Sequence, residues 1–234
     1  MSLLPFETIP DPMTDLSVRL PLARVRRDVR RSGLLPFTDL KATSLVSIVA
    51  GAPISGSWWG HPAGQLIYQV GEALDSDPDL EVVKLWRGKL TLIHRRLWPA
   101  LLRIGRSRSE WQLSGIENAS LLLLHHVNRT GSIRSDRFPP TLLLETAAIR
   151  GIVRDLERRL LVFTRSVHTS TGAHALEAES WNAWNARVGG APYSGSVLAA
   201  ELAFENAARR LTPAVDPRKL FPWGRTRGQV LLPS

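Results

Sequence analysis

Apolar residues recur at three- and four-residue spacing along most of the chain and alternate with polar ones in two short stretches, which predicts helices with a few strands. After an extended, proline-marked lead, PLARVRRDVRRSG reads as a helix, with Pro21 at its first position and Gly33 at its stop. Leu22, Val25 and Val29 make its apolar side, and Arg24, Arg26, Arg27, Arg30 and Arg31 surround the rest. TSLVSIVAG predicts a brief second helix, Thr43 as N-cap and Gly51 beyond the end. SWWGHPAG, from Ser57 to Gly64, interrupts the pattern. Gly56 and Gly60 bracket Trp58 and Trp59 and imply a bent backbone passing close to something. His61-Pro62 then opens a helix that turns Leu66, Ile67, Val70 and Leu74 inward, and DSDPD ends it. LEVVKLW-RG-KLTLIH reads as a β-hairpin, and RRLWPALLRIG as a helix begun or kinked near Pro99.

A polar stretch from Arg106 to Gly115 suggests a soft boundary. Beyond it, IENASLLLLHHVNRTG reads as a helix closed by Gly131, SIRSDRFPP as a turn or helical corner, and residues 145–159 as a longer helix. LLVFTRSVHT follows as a strand, STG as a turn, and AHALEAESW as either the returning strand or a helix start. Helix, corner, helix and hairpin is the order of a winged helix-turn-helix. Downstream, WNAWNARVGGAPYSG includes a glycine-proline loop. SVLAAELAFENAARRL reads as a final helix, and TPAVDPRKLFPWGRTRGQVLLPS as an ordered arm or a loose tail. No internal repeat or low-complexity tract is evident. The predicted fold class is α+β, mainly helical. Residues 1–108 form an N-terminal helix and β-hairpin region, 109–188 the winged helix, and 189–234 a C-terminal helix with a basic proline- and glycine-rich tail.

Charge changes this picture more than composition does. The formal net charge is +9, and 26 of the 30 basic residues are arginine, the side chain that stays ionised and grips phosphate bidentately. It is also segregated: Arg87 to Arg108 holds seven bases and no acid, whereas Glu72 to Glu81 holds five acids and no base. Such an excess favours a polyanionic partner, nucleic acid above all. In the 145–159 helix, at about 100° per residue, Ile149, Ile152, Val153, Leu156 and Leu160 share an arc of roughly 100°. Arg150, Arg154 and Arg158 fall opposite, each one turn above the last. That arrangement suits phosphates and guanine edges; the alternative is a solvated face softened by Asp155 and Glu157. The expected nucleic-acid-binding set is Arg150, Arg154 and Arg158, with Arg165, His168 and Thr169 of the hairpin on the neighbouring backbone. Arg95 and Arg96 of the basic segment extend the footprint.

Catalytic chemistry finds little support. The chain has no cysteine, which removes disulfides and thiolate sites and fits a reducing, cytoplasmic setting. The start has no secretory signal, and no apolar run approaches the ~18 residues of a membrane span. The histidines, His61, His94, His125, His126, His168 and His174, lack an H-E-x-x-H spacing. His168 and His174 could meet across a turn, but no third ligand is evident, so neither metal nor cofactor is expected. GSWWG has its serine in the wrong place for a nucleophile elbow, and no phosphate-binding glycine loop occurs. Trp58, Trp59 and His61 mark a candidate pocket. One indole either plugs a seam, with His61 capping the next helix, or lies exposed beside Arg87, Lys89, Arg95 and Arg96 to stack on an unpaired base.

Two passages carry a resemblance. The segment GSWWGHPAGQLIYQVGEALDSDPDLEVVKLWRGKLTLIHRRLWPALL resembles a group of uncharacterised bacterial proteins with a tryptophan-rich turn and a hairpin. The segments ENASLLLLHHV, GSI, DLERRLLV and SVHTSTGAHALEAESWNAW are similar to winged-helix proteins related to AlkZ-type DNA glycosylases. Together they cover roughly residues 20 to 185. The resemblance implies a DNA-binding winged-helix module connected with repair or regulation. It implies no glycosylase activity, because those enzymes carry Gln-x-Gln or Gln-x-Asp, and Gln65, Gln69, Gln112 and Gln229 are never two apart. DNA binding is therefore the expected role. The rivals are a small repair enzyme with its pocket at the tryptophan turn, and a protein-interaction module using the acidic 72–81 run and the apolar C-terminal helix.

Overall fold

The computed structural model describes residues 16–138, 146–168, 174–190 and 193–224. The protein is a mixed α+β fold in which helices outnumber strands, with two small antiparallel sheets. The first half runs α1 (Leu16–Ser32), β1 (Leu34–Pro36), α2 (Leu45–Ala50), α3 (Gly64–Asp75), β2 (Leu80–Trp86) and β3 (Lys89–His94). A 3-10 turn (Arg95–Leu97) leads into α4 (Trp98–Gly105) and the short α5 (Glu110–Leu113). The second half runs α6 (Asn118–Thr130), β4 (Ser132–Arg134), α7 (Thr146–Arg158), β5 (Phe163–His168) and β6 (His174–Glu179). Helices α8 (Trp181–Val188) and α9 (Val197–Arg209) and a 3-10 turn (Pro217–Leu220) complete the described chain.

Several local expectations hold and others need correcting. The Arg87-Gly88 hairpin turn has positive φ at both residues, 52° and 74°, the conformation a two-residue connection between twisted strands requires. Helix α1 is already formed ahead of Pro21, from Leu16 among the described residues, because Val18 extends the buried stripe of Leu22, Val25 and Val29 and that burial outweighs an early proline. The N-cap of α2 is Ser44, not Thr43, in a reciprocal capping box with Ser47. Helix α3 starts at Gly64, two residues after Pro62. Gly64 is the glycine that the tryptophan turn requires: a Cβ there would lie 2.8 and 2.9 Å from the carbonyl oxygens of Trp59 and Trp58. AHALEAESW resolves into strand β6 followed by α8, capped by Ser180.

The two halves repeat one plan, which the sequence reading missed. Both sheets have the order first strand, third strand, second strand: β1-β3-β2 and β4-β6-β5. Both opening helices end in Val-x-Arg-Ser/Thr-Gly, at Val29–Gly33 and Val127–Gly131, with the glycines at φ 95° and 89°. The Ser32 hydroxyl donates to the carbonyls of Asp28 and Leu34, as the Thr130 hydroxyl does to those of His126 and Ser132. The carbonyls of Gly33 and Gly131 accept from His94 N and Ser180 N, at 2.9 and 2.8 Å. Registers agree as well: Leu34 pairs Ile93 where Ser132 pairs Glu179, and Glu81 pairs Ile93 where Phe163 pairs Glu179. Ile67, Val70 and Leu74 of α3 are buried at the same spacing as Ile149, Ile152 and Leu156 of α7.

Each half closes its own aliphatic core, and an aromatic core joins them. In that third core Trp86, Trp98, Trp181, Trp184 and Phe204 meet Phe221 and Trp223 from the proline- and glycine-rich stretch. Up to Gly224, then, that stretch is an ordered arm built into the interior. Trp223 is 1% exposed, stacks on Phe221 at 4.7 Å and donates its indole N–H to Glu205 at 3.1 Å. No helix among the described residues is long and apolar enough to cross a membrane.

Candidate nucleic-acid interface

Helix α7 is fixed at its C-terminal end and along one side. Gln112, fully buried on α5, donates to the carbonyls of Arg159 and Leu160, and the Trp181 indole donates to Leu160 O at 2.7 Å. These bonds satisfy carbonyls that a helix end leaves open, and Leu160 takes a left-handed φ of 52° beneath them. Ile149, Ile152, Val153 and Leu156 pack into the core with Leu123, Leu124 and Val127 of α6.

The carboxylates that could quench the outer face are engaged elsewhere. Asp155 receives Arg159 Nε at 3.0 Å, and Arg159 also donates to the carbonyls of Gln112 and Ser114. Glu157, 5% exposed, points inward to Lys84 Nζ at 2.8 Å and to the Thr164 hydroxyl. Arg150, Arg154 and Arg158 remain exposed. Among the described residues, Arg150 and Arg154 have no carboxylate partner, and Arg158 reaches Asp155 only at 3.8 Å. Four residues of helical rise set their Cα atoms about 6 Å apart along the axis. Gly151 lies exposed between the first two, and a Cβ there would meet nothing within 4 Å.

The other expected residues are placed differently. Arg165 is neutralised across the sheet, 2.7 Å from Glu177 and 3.8 Å from Glu179. It lines a cleft of about 770 Å³ between β2 and β5, together with Lys84, Glu157 and Arg187. His168 ends β5 opposite His174, and Thr169 lies outside the described residues. Arg95 pairs with Asp79, just before β2, at 3.1 Å, and Arg96 donates to Arg31 O at the end of α1 at 2.8 Å, so neither bonds to α7. Of the hairpin bases, Arg87 turns to buried Asp39 at 3.6 Å. Burial alone would raise the Asp39 carboxyl, but the Lys41 N–H, the Trp86 indole and the Ala42 N–H outweigh it and hold it below its ordinary range.

Trp58 and Trp59 differ in exposure, and the rings beside Trp59 are those of Trp58 and Tyr68. Trp58 is half-buried against Phe37, ring centroids 5.7 Å apart, whereas Trp59 is 65% exposed and stacked on Trp58 at 4.2 Å. Tyr68 of α3 is the third ring, 5.8 Å from Trp59. His61 Nδ1 accepts from Ala63 N at 3.1 Å, bracing the turn before α3. The 770 Å³ cleft is lined by none of Trp58, Trp59 and His61, and its acids, half-buried Glu81 and buried Glu157, each hold a cation, Arg187 and Lys84. Of the acidic run, Asp77 is engaged by Arg26, Asp79 by Arg95 and Glu81 by Arg187, while Glu72 and Asp75 stay exposed on α3. The apolar face of α9 is interior at Ala200, Phe204 and Ala208, while Leu198 and Leu202 face out. Among the described residues no group of His, Asp and Glu is arranged to hold a metal ion. Comparison with protein-family models, curated proteins and solved structures finds no match to this chain, so the arrangement of its own residues carries the reading of function.

Proposed function

We propose that this protein binds duplex DNA through α7, and that α6, β4, α7, β5 and β6 form a winged helix. The order of these elements and the strand order β4-β6-β5 support the assignment. The observation that carries it is the exposed row Arg150, Arg154 and Arg158. The first two have no carboxylate partner among the described residues, Arg158 has only the 3.8 Å approach to Asp155, and Asp155 and Glu157 bond more closely to Arg159, Lys84 and Thr164. A helix with an aliphatic underside and an unpaired cationic ridge neutralises phosphates and reaches base edges in a groove. Gly151 adds a second indication, since glycine in an exposed helix interior is destabilising and is retained where another backbone comes close. The resemblance to AlkZ-related winged-helix proteins accords with this role, and no catalytic residue is assigned.

Fluorescence anisotropy with a labelled duplex of about 24 base pairs, between roughly 50 and 200 mM salt, tests it. Wild-type affinity should fall with salt, each neutralised phosphate contributing about 0.9 to the log-log slope. Reversing all three arginines to Glu should abolish binding at about 0.1 M salt, where exposed charges still act over ~10 Å. Unchanged affinity would overturn the assignment of α7.

A further inference from the structure

Basic residues also converge at the C-terminal end of α1. Arg96 Nη2 and Arg210 Nη1 both donate to the carbonyl of Arg31, at 2.8 and 3.3 Å. The two guanidinium groups come from the turn after β3 and from the residue closing α9, so the fold assembles them from distant parts of the chain. Arg30 stands in the last turn of α1, and burial, followed by the charges of Arg96, Arg30 and Arg95 against that of Asp79, holds the neighbouring His94 imidazole below its ordinary range. Gly33 makes the assembly possible. A Cβ there would lie 2.8 Å from Arg96 Nε and 2.9 Å from its Nη2, so a side chain at this left-handed position would displace the guanidinium from its present place across the helix end.

The charges do not balance. Asp79 engages Arg95, and among the described residues Arg30, Arg96 and Arg210 have no carboxylate partner. A helix C-terminus offers about half a negative charge, enough to hold one guanidinium but not this group. Each guanidinium has five N–H donors, and Arg96 and Arg210 each use one on the shared carbonyl. Burial, with the charge of Arg210, holds Arg96 below the ordinary arginine range. Like charges crowded in this way, with most donors open, are relieved by an anion placed between them.

We propose that Arg96 and Arg210, backed by Arg30, form a second phosphate-binding point, taking the backbone of the same nucleic acid that α7 contacts. The choice of ligand rests on the DNA-binding reading, while the site stands on its own residues. The test repeats the salt titration with Arg96→Gln/Arg210→Gln, with Arg96→Lys/Arg210→Lys and with the charge-reversed α7 variant. Losing two phosphate contacts should weaken binding at least tenfold and lower the salt slope by about 1.8, at roughly 0.9 per contact. The lysine pair, which keeps the charge, should retain most of the slope. A glutamine variant that melts earlier but binds with unchanged affinity and slope would show that the two arginines only clasp the helix end, and would overturn the proposal. If the glutamine pair weakens binding while the α7 variant does not, this site stands and α7 is misassigned. A wild-type protein that binds no duplex overturns both.

Discussion

Replacing Arg154 by Ala should make the protein more stable and a poorer DNA binder at once. Arg154 has Arg150 one turn before it and Arg158 one turn after, and no described carboxylate holds it in place. Two unit charges about 6 Å apart in water repel by about 0.7 kcal/mol, and salt screening lowers this. Like-charge pairs at this helical spacing are measured at about 0.2–0.5 kcal/mol each. Removing both pairs returns about 0.4–1 kcal/mol, and alanine's helix propensity adds roughly 0.2. For a chain of this size each kcal/mol moves the melting temperature by about 2–4 °C, so calorimetry should show a rise of about 1–5 °C. The same variant should lower the anisotropy salt slope by about 0.9, one phosphate contact. A fall in melting temperature of several degrees would mean that Arg154 holds the fold together internally. That outcome, or an unchanged slope with weakened stability, would refute an unpaired cationic ridge on α7.

Gly151→Ala should raise stability by about 0.5–1 kcal/mol, since its Cβ meets nothing, yet weaken duplex binding if a phosphate backbone passes over that position; thermal melts and anisotropy on one preparation give both answers. Asp39, held below its ordinary range, contributes stability that is present above the unfolded carboxylate pKa and lost as pH falls through the folded value. Asp39→Asn should therefore destabilise the protein at neutral pH and flatten the acid limb of its denaturation profile below about pH 4, followed by circular dichroism. Trp223→Ala should cost about 3–5 kcal/mol by emptying the space beside Phe221 and removing the donor to Glu205, read from a urea titration.

Much of this fold is legible in the sequence where periodicity is local. The 80–94 hairpin shows alternation around Arg-Gly, and α7 shows an apolar stripe opposite its arginines, so both follow from nearby residues. Strands β1 and β4 do not. Each is three residues long and is defined by pairing with a partner some sixty or forty-five positions away, a relation that no window on the sequence contains. The fate of Arg165 is hidden for the same reason, because Glu177 stands opposite it only in the β5–β6 register. From the sequence Asp155 and Glu157 read as charges softening the ridge, and nothing in their spacing shows that Arg159 and Lys84 turn them away. The stretch around Phe221 and Trp223 has a loop's composition, and only packing against Trp86 and Phe204 makes it core.

The repeated plan explains why two such similar scaffolds need not share a partner. Helices α3 and α7 bury the same spacing of aliphatic residues against sheets of the same order, so packing leaves their outer faces unconstrained. On α7 that face carries Arg150, Arg154 and Arg158; on α3 it carries Gln65, Tyr68, Glu72 and Asp75, with no cation among its exposed residues. A phosphate track is attracted to the first and repelled by the second, whatever the likeness of the backbones. The first half anchors the base of its hairpin turn, where Trp86 is buried and the N–H of Arg87 donates to Leu220 O, while Arg87, Gly88 and Lys89 stay exposed. The proposed DNA contact therefore falls to one half by charge alone. In the proposed complex the other half acts through α1, whose C-terminal end gathers Arg96 and Arg210 into a cationic point that its own α3 cannot supply.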